Sequence, residues 1–390
     1  MTQYDVVVGV DVGKSFHWLH AVNQAGDTIF SRRVEQDERK LDAVFAKLKA
    51  QADRMLVVVD QSKNIGALTL ACAVRAGCDV GYLPGLAMRR ASGMLPGDAK
   101  TDQRDAQVIA RTARSMPEAL RRVDTSRDRA DMDVLLAYDQ DCLVDKTRHI
   151  NRLHALLSEV NPAFEKAVFG NLDSPFVLAL LLRFGGPWGM RRAGKTSVKR
   201  WAARQSRVPK DILDAALQAA WQMEHEPAGA SYCEQLAIPA AAARIRELVA
   251  AREANKTRIN KMLNDNLTYH LLMTMPGVGV GTAGAVVTKV DIRLFPDDEK
   301  LASYAGIAPR TRQSGTSIKG EAAARFGNKT LKNALYLSAF ASLACDPRAR
   351  AFYDKKRAAG KNHSTALLAL ARKRLKVMYA IMRDCVPYQS

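Results

Sequence analysis

Residues 6–16 read VVVGVDVGKSF. The segment Gly13-Lys14-Ser15 imitates the end of a phosphate-binding loop, G-x-x-x-x-G-K-[ST]. Counting back from Gly13, that motif wants its first glycine at position 8, and position 8 is Val8. The loop is one residue short. What remains is a valine-rich strand with one aspartate, Asp11, set into it. A charge among valines is costly unless something pairs with it, so the strand raises the question of what Asp11 binds.

The residues around it predict an α/β domain. Tyr4–Val12 and Phe16–Asn23 read as strands, and the turn Gln24-Ala-Gly-Asp27 leads to a third, Thr28–Val34. Leu41, Val44, Phe45 and Leu48 fall on one helical face. Met55–Asp60 is almost purely apolar, as expected of a central strand covered on both sides. Leu68–Ala76 predicts a helix, Asp79–Leu83 a short strand, and a further helix starts near Thr101. Three antiparallel strands followed by strand–helix alternation is the order of ribonuclease-H-like domains.

Acids sit at particular places in that layout. Asp11 lies in the first strand, Asp60 ends VVVD, and Asp102 and Asp105 are three apart at a helix start, on one face. Taken singly, Asp102 reads equally as a helix N-cap and Asp60 as a strand-ending turn residue. Together, four converging carboxylates would repel one another unless divalent cations neutralise them. Two hard cations on such a cluster can activate a nucleophile and stabilise the leaving oxygen of a phosphodiester. Asp11 is therefore expected to be a metal ligand. The same Asp-x-Gly-x-Ser resembles the first phosphate motif of actin-like sugar kinases, but neither their second phosphate loop nor their adenosine motif follows.

Charge points the same way. The 390 residues carry 59 Lys and Arg against 40 Asp and Glu, a formal charge of +19. Such an excess suits a polyanionic partner, nucleic acid before membrane. Apolar content of 47% is that of a soluble globular protein. With no run long enough for a membrane span, no signal peptide and no C-x-x-C pair, the expectation is a cytoplasmic protein with reduced thiols.

In the middle, Leu136, Leu143, Ile150 and Leu157 recur every seven residues, with Leu153 and Val160 alongside. This predicts a coiled-coil seam ending at Asn161-Pro162, a hairpin within the chain, a dimer contact, or both together. A helix over about 240–270, with Ile245, Leu248, Ile259 and Met262, is the candidate partner. Residues 163–235 read as an insertion at the stalk's tip, with Arg191, Arg192, Lys195, Lys199 and Arg200. The predicted domains are thus 1–125, 126–268 and 269–390.

The last section opens with MPGVGVGTAGAVV, residues 275–287, which resembles the hairpin of helix-hairpin-helix motifs that meet a DNA phosphate. It continues into YAGIAPRTRQSGTSIKG, residues 304–320. Residues 310–390 hold 17 Lys and Arg against 4 Asp and Glu, so +13 of the +19 falls there. Lys100, Arg310, Arg312, Lys319, Arg325, Lys329 and Lys332 are the residues expected to face phosphates. Ser314 is either a plain loop serine or a nucleophile whose phosphodiester the arginines steady.

The order VGVDVGK, VVVDQ, YLPG, GDAKTDQRDA, TRHINRLHALL, MPGVG, YAGIAPRTRQSGTSIKG and KTLKNALY resembles the DEDD transposases of bacterial insertion sequences, the one-hundred-and-ten family. The resemblance spans nearly the whole chain except roughly 163–235. It implies a RuvC-like N-terminal domain, a coiled-coil stalk and a mostly helical C-terminal serine transposase domain. It places the four acidic ligands on Asp11, Asp60, Asp102 and Asp105, and the catalytic serine on Ser314. It further implies cleavage and rejoining of donor and target DNA, a structured guide RNA that pairs with both, and a homo-oligomer: a dimer, and a tetramer built as a dimer of dimers. One departure stands out: the family usually has Glu-Ala-x-Gly where this chain has Asp60-Gln-Ser-Lys, and Asp is one methylene shorter. The competing expectation is a RuvC-like Holliday-junction resolvase or metal-dependent nuclease working with the carboxylates alone, which leaves the basic serine domain without a purpose.

Overall fold

The computed structural model describes residues 4–94, 101–123, 126–314, 318–322 and 327–389, with side chains for all of these except 122, 310–314 and 318–322. The chain divides into two compact units, Met1–Ala130 and Asp131–Ser390. In the first, the strands are β1 (Val6–Val12), β2 (Phe16–Asn23), β3 (Thr28–Glu35), β4 (Met55–Val59), β5 (Asp79–Tyr82) and β6 (Arg121–Arg122). They form one sheet in the order β3-β2-β1-β4-β5-β6. β1 pairs antiparallel with β2 and parallel with β4, and β2 pairs antiparallel with β3. This is the ribonuclease-H-like arrangement that the strand spacing predicts. Gly13-Lys14-Ser15 forms the β1–β2 turn and leads into a strand, which excludes a phosphate-binding loop.

Helices cover both faces. α1 (Glu38–Lys49) and α2 (Gly66–Arg75) bury Leu41, Phe45, Leu70 and Ala73 against Val6, Val8, Val10 and Val57. The other face takes α3 (Gly85–Ser92) and α4 (Asp102–Ser115), with Ile109, Ala110 and Ala113 packed on Val7, Leu56 and Val58. Strand period two therefore sends Val7, Gly9 and Asp11 to the α4 side. Gly9 is the closest approach: a Cβ there would lie 2.3 Å from the Ala106 carbonyl oxygen and 2.4 Å from the Ala110 nitrogen. The helix backbone rests on the strand where no side chain intervenes.

Among its described residues, the second unit is helical apart from one hairpin. α5 (Arg127–Val160) enters it and runs antiparallel to α12 (Ile238–Met262), reached through α6 (Pro162–Val168), α7 (Pro175–Phe184), α8 (Pro187–Ala193), α9 (Lys195–Ala202), α10 (Lys210–Gln222) and α11 (Ala230–Tyr232). Arg252 grips Asp139 with two bonds of 3.1 and 2.9 Å, and Asn255 donates to the Leu135 carbonyl at 2.8 Å. The heptad seam thus has an intramolecular partner. Its ends are buried, Leu136 against Ile259 and Leu157 near Ile245, while Leu143 and Ile150 are half-buried.

Residues 163–235 form a helical module whose apolar residues, around Phe164, Leu178, Trp188 and Leu217, share one core with Leu153, Leu157 and Val160 of α5 and with Ile238, Ala242 and Ile245 of α12. Buried Glu234 accepts from the backbone N–H groups of Trp188 (2.8 Å) and Gly189 (2.7 Å) at the start of α8 and pairs with Arg192. Arg191 donates to the Met223 carbonyl. Two of the module's five noted basic residues are therefore engaged internally; Lys195, Lys199 and Arg200 are exposed.

After α12 come α13 (Leu267–Met273), α14 (Val280–Lys289), α15 (Asp298–Ala305), the hairpin β7 (Arg310–Ser314) and β8 (Ile318–Ala322), then α16 (Lys329–Cys345), α17 (Pro347–Ala358) and α18 (His363–Asp384). α13 and α14 flank the Pro-Gly-Val-Gly hairpin as expected. Gly277, at φ +75°, presses inward: a Cβ there would meet the Ser342 nitrogen of α16 at 2.7 Å. Buried Arg374 donates to the Pro276 carbonyl and the Ser338 hydroxyl. This hairpin's first glycine serves packing. Among the described residues, no helix is long and apolar enough to cross a membrane.

Replacing Gly9 by Ala should destabilise the protein by about 3 kcal/mol, because two backbone atoms of α4 must move. Gly81→Ala, whose added methyl would meet Val58 at an ordinary 3.4 Å, should cost less than about 1 kcal/mol. Urea unfolding of both variants checks the contrast, and equal midpoints would refute the close approach.

Candidate metal centre

Strand register assembles the site. β1 and β4 run parallel with Val10 opposite Val59, so Asp11 and Asp60 stand level at the ends of neighbouring strands. Both follow the alternation onto the α4 side. The Val12 N–H donates to Asp60 Oδ1 at 3.2 Å, stapling the chain after β4 to β1. The following loop is tight: Asn64 takes φ +56°, and a Cβ on Gly66 would lie 1.7 Å from the Gln61 carbonyl oxygen. Asp60 is held between two fixed elements.

α4 supplies the other acids. Thr101 is its N-cap, its hydroxyl accepting from the Arg104 N–H at 3.2 Å. Asp102 is consequently the first helical residue, and the N-cap explanation for it falls away. Asp105, one turn along, is half-buried, whereas Asp102 is exposed. Both lie in the first turn, where the helix dipole favours negative charge. Because Ala106 rests over Gly9, the turn before it overlies the Asp11 end of β1.

The electrostatics agree. Burial pushes the Asp60 carboxyl above its ordinary range, backbone N–H donors including that of Val12 offset part of this, and the charge of Asp105 raises it further. Asp60 and Asp105 therefore feel one another. Among the described residues, no three His, Cys, Asp or Glu side chains lie close enough together to share an ion. What the fold brings together is Asp60 with Asp105 and, by register, Asp11; Asp102 stands one helical turn away. The donor chemistry is all oxygen and anionic, which suits a hard divalent cation, and the desolvation and repulsion at Asp60 are what such a cation relieves.

Ser314 ends β7, paired opposite Ile318, the first residue of β8. Arg310 and Arg312 are on β7, opposite Ala322 and Gly320, and Lys319 is on β8 opposite Gln313. Lys100, Thr316, Ser317 and Arg325 lie outside the described residues. Lys329 is exposed at the first position of α16 and Lys332 is half-buried one turn on. A lysine at a helix N-terminus adds positive charge to the positive end of the dipole, an arrangement that an anion stabilises.

Sequence reasoning passed over three residues that shape the site. Gly9 sets the depth of α4, Thr101 caps it, and Gly66 closes the Asp60 loop. Each had a signal: a glycine interrupting a valine run, a threonine before an acidic helix start, and a glycine opening a helix after a strand.

Comparison with known proteins bears on the whole chain. Residues 8–162 match the DEDD transposases of IS110, and residues 269–354 match the family described as transposase IS116/IS110/IS902. An uncharacterized 43.6 kDa protein of insertion element IS110 from Streptomyces coelicolor is 41% identical over 388 residues, covering 99% of this chain and 96% of that protein. A 42 kDa protein of insertion element IS900 from Mycobacterium paratuberculosis is 32% identical, covering 98% and 97%. Both alignments run through the 163–235 module, which is thus not peculiar to this chain. A solved structure of Thermus thermophilus RuvC with a Holliday junction substrate is 17% identical over 30% of this chain and 99% of that one, with a TM-score of 0.25. The two matched segments and relatives aligned from end to end place this chain in the IS116/IS110/IS902 family of transposases.

Proposed function

We propose that this transposase cuts and rejoins the DNA of its insertion element through two sets of residues. Asp11, Asp60, Asp102 and Asp105 hold Mg²⁺, for which Mn²⁺ can substitute, and Ser314 is the nucleophile. The observation that carries this reading is the placement of Asp11 and Asp60 side by side under the acidic first turn of α4. A divalent cation bound there supplies charge that polarises a scissile phosphate. The chain's own residues then have separable tasks. Asp11 and Asp60 fix a position on the sheet, and Val12 orients Asp60 by its N–H. α4 delivers Asp102 and Asp105 from above. Arg310, Arg312, Lys319, Lys329 and Lys332, with Lys100 and Arg325, neutralise phosphates along the strand. The Ser314 hydroxyl attacks phosphorus, loses its proton and displaces a strand 3′-oxygen or 5′-oxygen, which leaves as the alcohol. The strand stays on the serine until a new hydroxyl takes it.

The same reading assigns sequence choice to a guide RNA, since a chain of charge +19 without a recognisable base-reading finger can leave that choice to base pairing. It also assigns a tetramer in which one protomer's carboxylates work with another's Ser314. α5, with 34 residues, is about 50 Å long, enough to span between protomers.

Asp60 gives a metal-free test. Its folded pKa is raised, so the stability it contributes is complete below the unfolded pKa and is lost as pH rises through the folded one. Asp60→Asn keeps an oxygen for the Val12 N–H and removes the charge. In EDTA at pH 7 the variant should melt above wild type, and the gap should close as the pH falls to the carboxylate range. Mg²⁺ at about a hundred times its Kd should stabilise wild type by about 2.7 kcal/mol and the variant far less. Identical melting curves in EDTA would remove Asp60 from the repelling cluster.

Asp11→Asn should lower strand cleavage at least about a hundredfold with binding retained. Ser314→Ala should abolish the covalent protein–DNA adduct on denaturing gels, and mixing the two variants should restore part of the recombination. An adduct persisting without Ser314 overturns its role, and a wild type that cuts without any adduct favours the metal-dependent nuclease. A guide predicts that one defined RNA species co-purifies with the protein; random fragments alone would refute it.

A further inference from the structure

The row of residues that crosses the sheet at Asp11 continues beyond the acids. Asp11 is opposite Trp18 on β2, and Trp18 is opposite Arg33 on β3. Directly opposed residues of antiparallel strands share a face, with Cα atoms roughly 5 Å apart. Phe16, two residues before Trp18, lies on that face too. The Arg33 guanidinium stacks over the Phe16 ring, 3.4 Å from its centre. The Trp18 indole N–H donates to the Ser31 hydroxyl at 3.1 Å, which fixes the plane of the ring. These three side chains form one wall of a cleft whose other wall is Thr101, Asp102 and Gln103.

Carboxylate chemistry has no use for such a wall. Tryptophan and phenylalanine do not ligate hard cations, and the unit has two apolar cores in which aromatic rings could be buried. Here Phe16 and Trp18 stay half-buried and Arg33 exposed. A planar apolar face, a planar cation stacked at van der Waals distance and an adjacent acidic site together match a nucleotide: base, phosphate, and the place where the phosphate is cut.

We propose that the Phe16–Trp18–Arg33 cleft holds an unpaired base of the DNA strand whose phosphate lies at Asp11 and Asp60. The assignment rests on the reading of those acids as the phosphate-cutting site. Trp18 stacks on the base, and Arg33 offers charge to the neighbouring phosphate. A base inside a duplex has both faces covered, so the cleft selects a strand that has been opened or splayed. Stacking tolerates any base, so the cleft positions the strand and leaves its sequence unread.

The test uses the full chain in EDTA, where binding is separated from cutting. Anisotropy is measured with three probes of about a dozen nucleotides and equal charge: oligothymidylate, its abasic counterpart and oligouridylate. Wild type should hold oligothymidylate about tenfold tighter than the abasic strand. Trp18→Leu should lose that preference with abasic binding unchanged, and Trp18→Phe should keep most of it. An equal loss on both probes, or a preference that survives in Trp18→Leu, would overturn the proposal. Tighter, Trp18-dependent binding of oligouridylate would overturn the choice of DNA and assign the cleft to an RNA strand. Should Trp18→Leu fail to fold, Phe16→Leu takes its place, together with photocrosslinking of a bromodeoxyuridine strand, whose adduct should map to the Trp18 peptide. Absence of base preference in a protein that cuts normally sinks this inference alone. Base preference in a protein that never cuts sinks the cleavage reading instead.

Discussion

The N-terminal unit depends on one contact, the backbone of α4 lying on Gly9. A helix normally keeps its distance from a sheet through the side chains of both. Here a strand position with no side chain lets the Ala106 carbonyl and the Ala110 amide come down to the strand itself. Everything about the acids follows from that depth. Two residues further along the strand is Asp11, and immediately before Ala106 on the helix is Asp105, so a single steric allowance sets how closely they approach. Burial of Asp60 beneath the same helix costs its charged form free energy, and the fold accepts that cost at the point where charge is wanted.

Much of this was legible in the chain. Period-two alternation and the VVVD run gave β2 its bounds and located β1, β3 and β4 to within a residue or two: β1 and β4 because strands covered on both faces have little freedom of composition, exposed β3 because a turn precedes it. The acids could be picked out because charge in an apolar strand needs a reason. What the sequence did not display was depth and partner choice. Gly9 looked like part of a mis-spaced loop, and only the helix above it explains it. Thr101 was hidden behind the more conspicuous Asp102. The leucine heptads were compatible with partners inside or outside the chain. The partner within the chain is fixed by polar groups, Arg252 and Asn255, whose hydrogen bonds carry no periodic signal.

The C-terminal half shows the same division between pattern and packing. Pro276-Gly277-Val278-Gly279 sits between two helices, as the motif implies, yet Gly277 is spent on contact with α16 and Arg374 is buried beneath it. The local string was right and its assumed purpose was not, because a motif of small residues marks close approach without saying to what. Basic charge is likewise of two kinds. Arg374, Arg252 and Lys289 have internal partners, and only what remains exposed is available to a polyanion.

The arrangement of α5 and α12 has a consequence for how such chains can change over time. The helical module of residues 163–235 leaves the end of α5 and returns at the start of α12, and Val160 and Ile238 share one apolar core. Its entrance and exit are therefore neighbours. Because that core joins the segment to both helices, a change among its apolar residues is felt by Leu153, Leu157 and Val160 on α5 and by Ala241, Ala242 and Ile245 on α12. The Asp139–Arg252 clamp lies far down the hairpin from that junction and ties the two helices together there. The tip can therefore change only in concert with the ends of α5 and α12 on which its core rests.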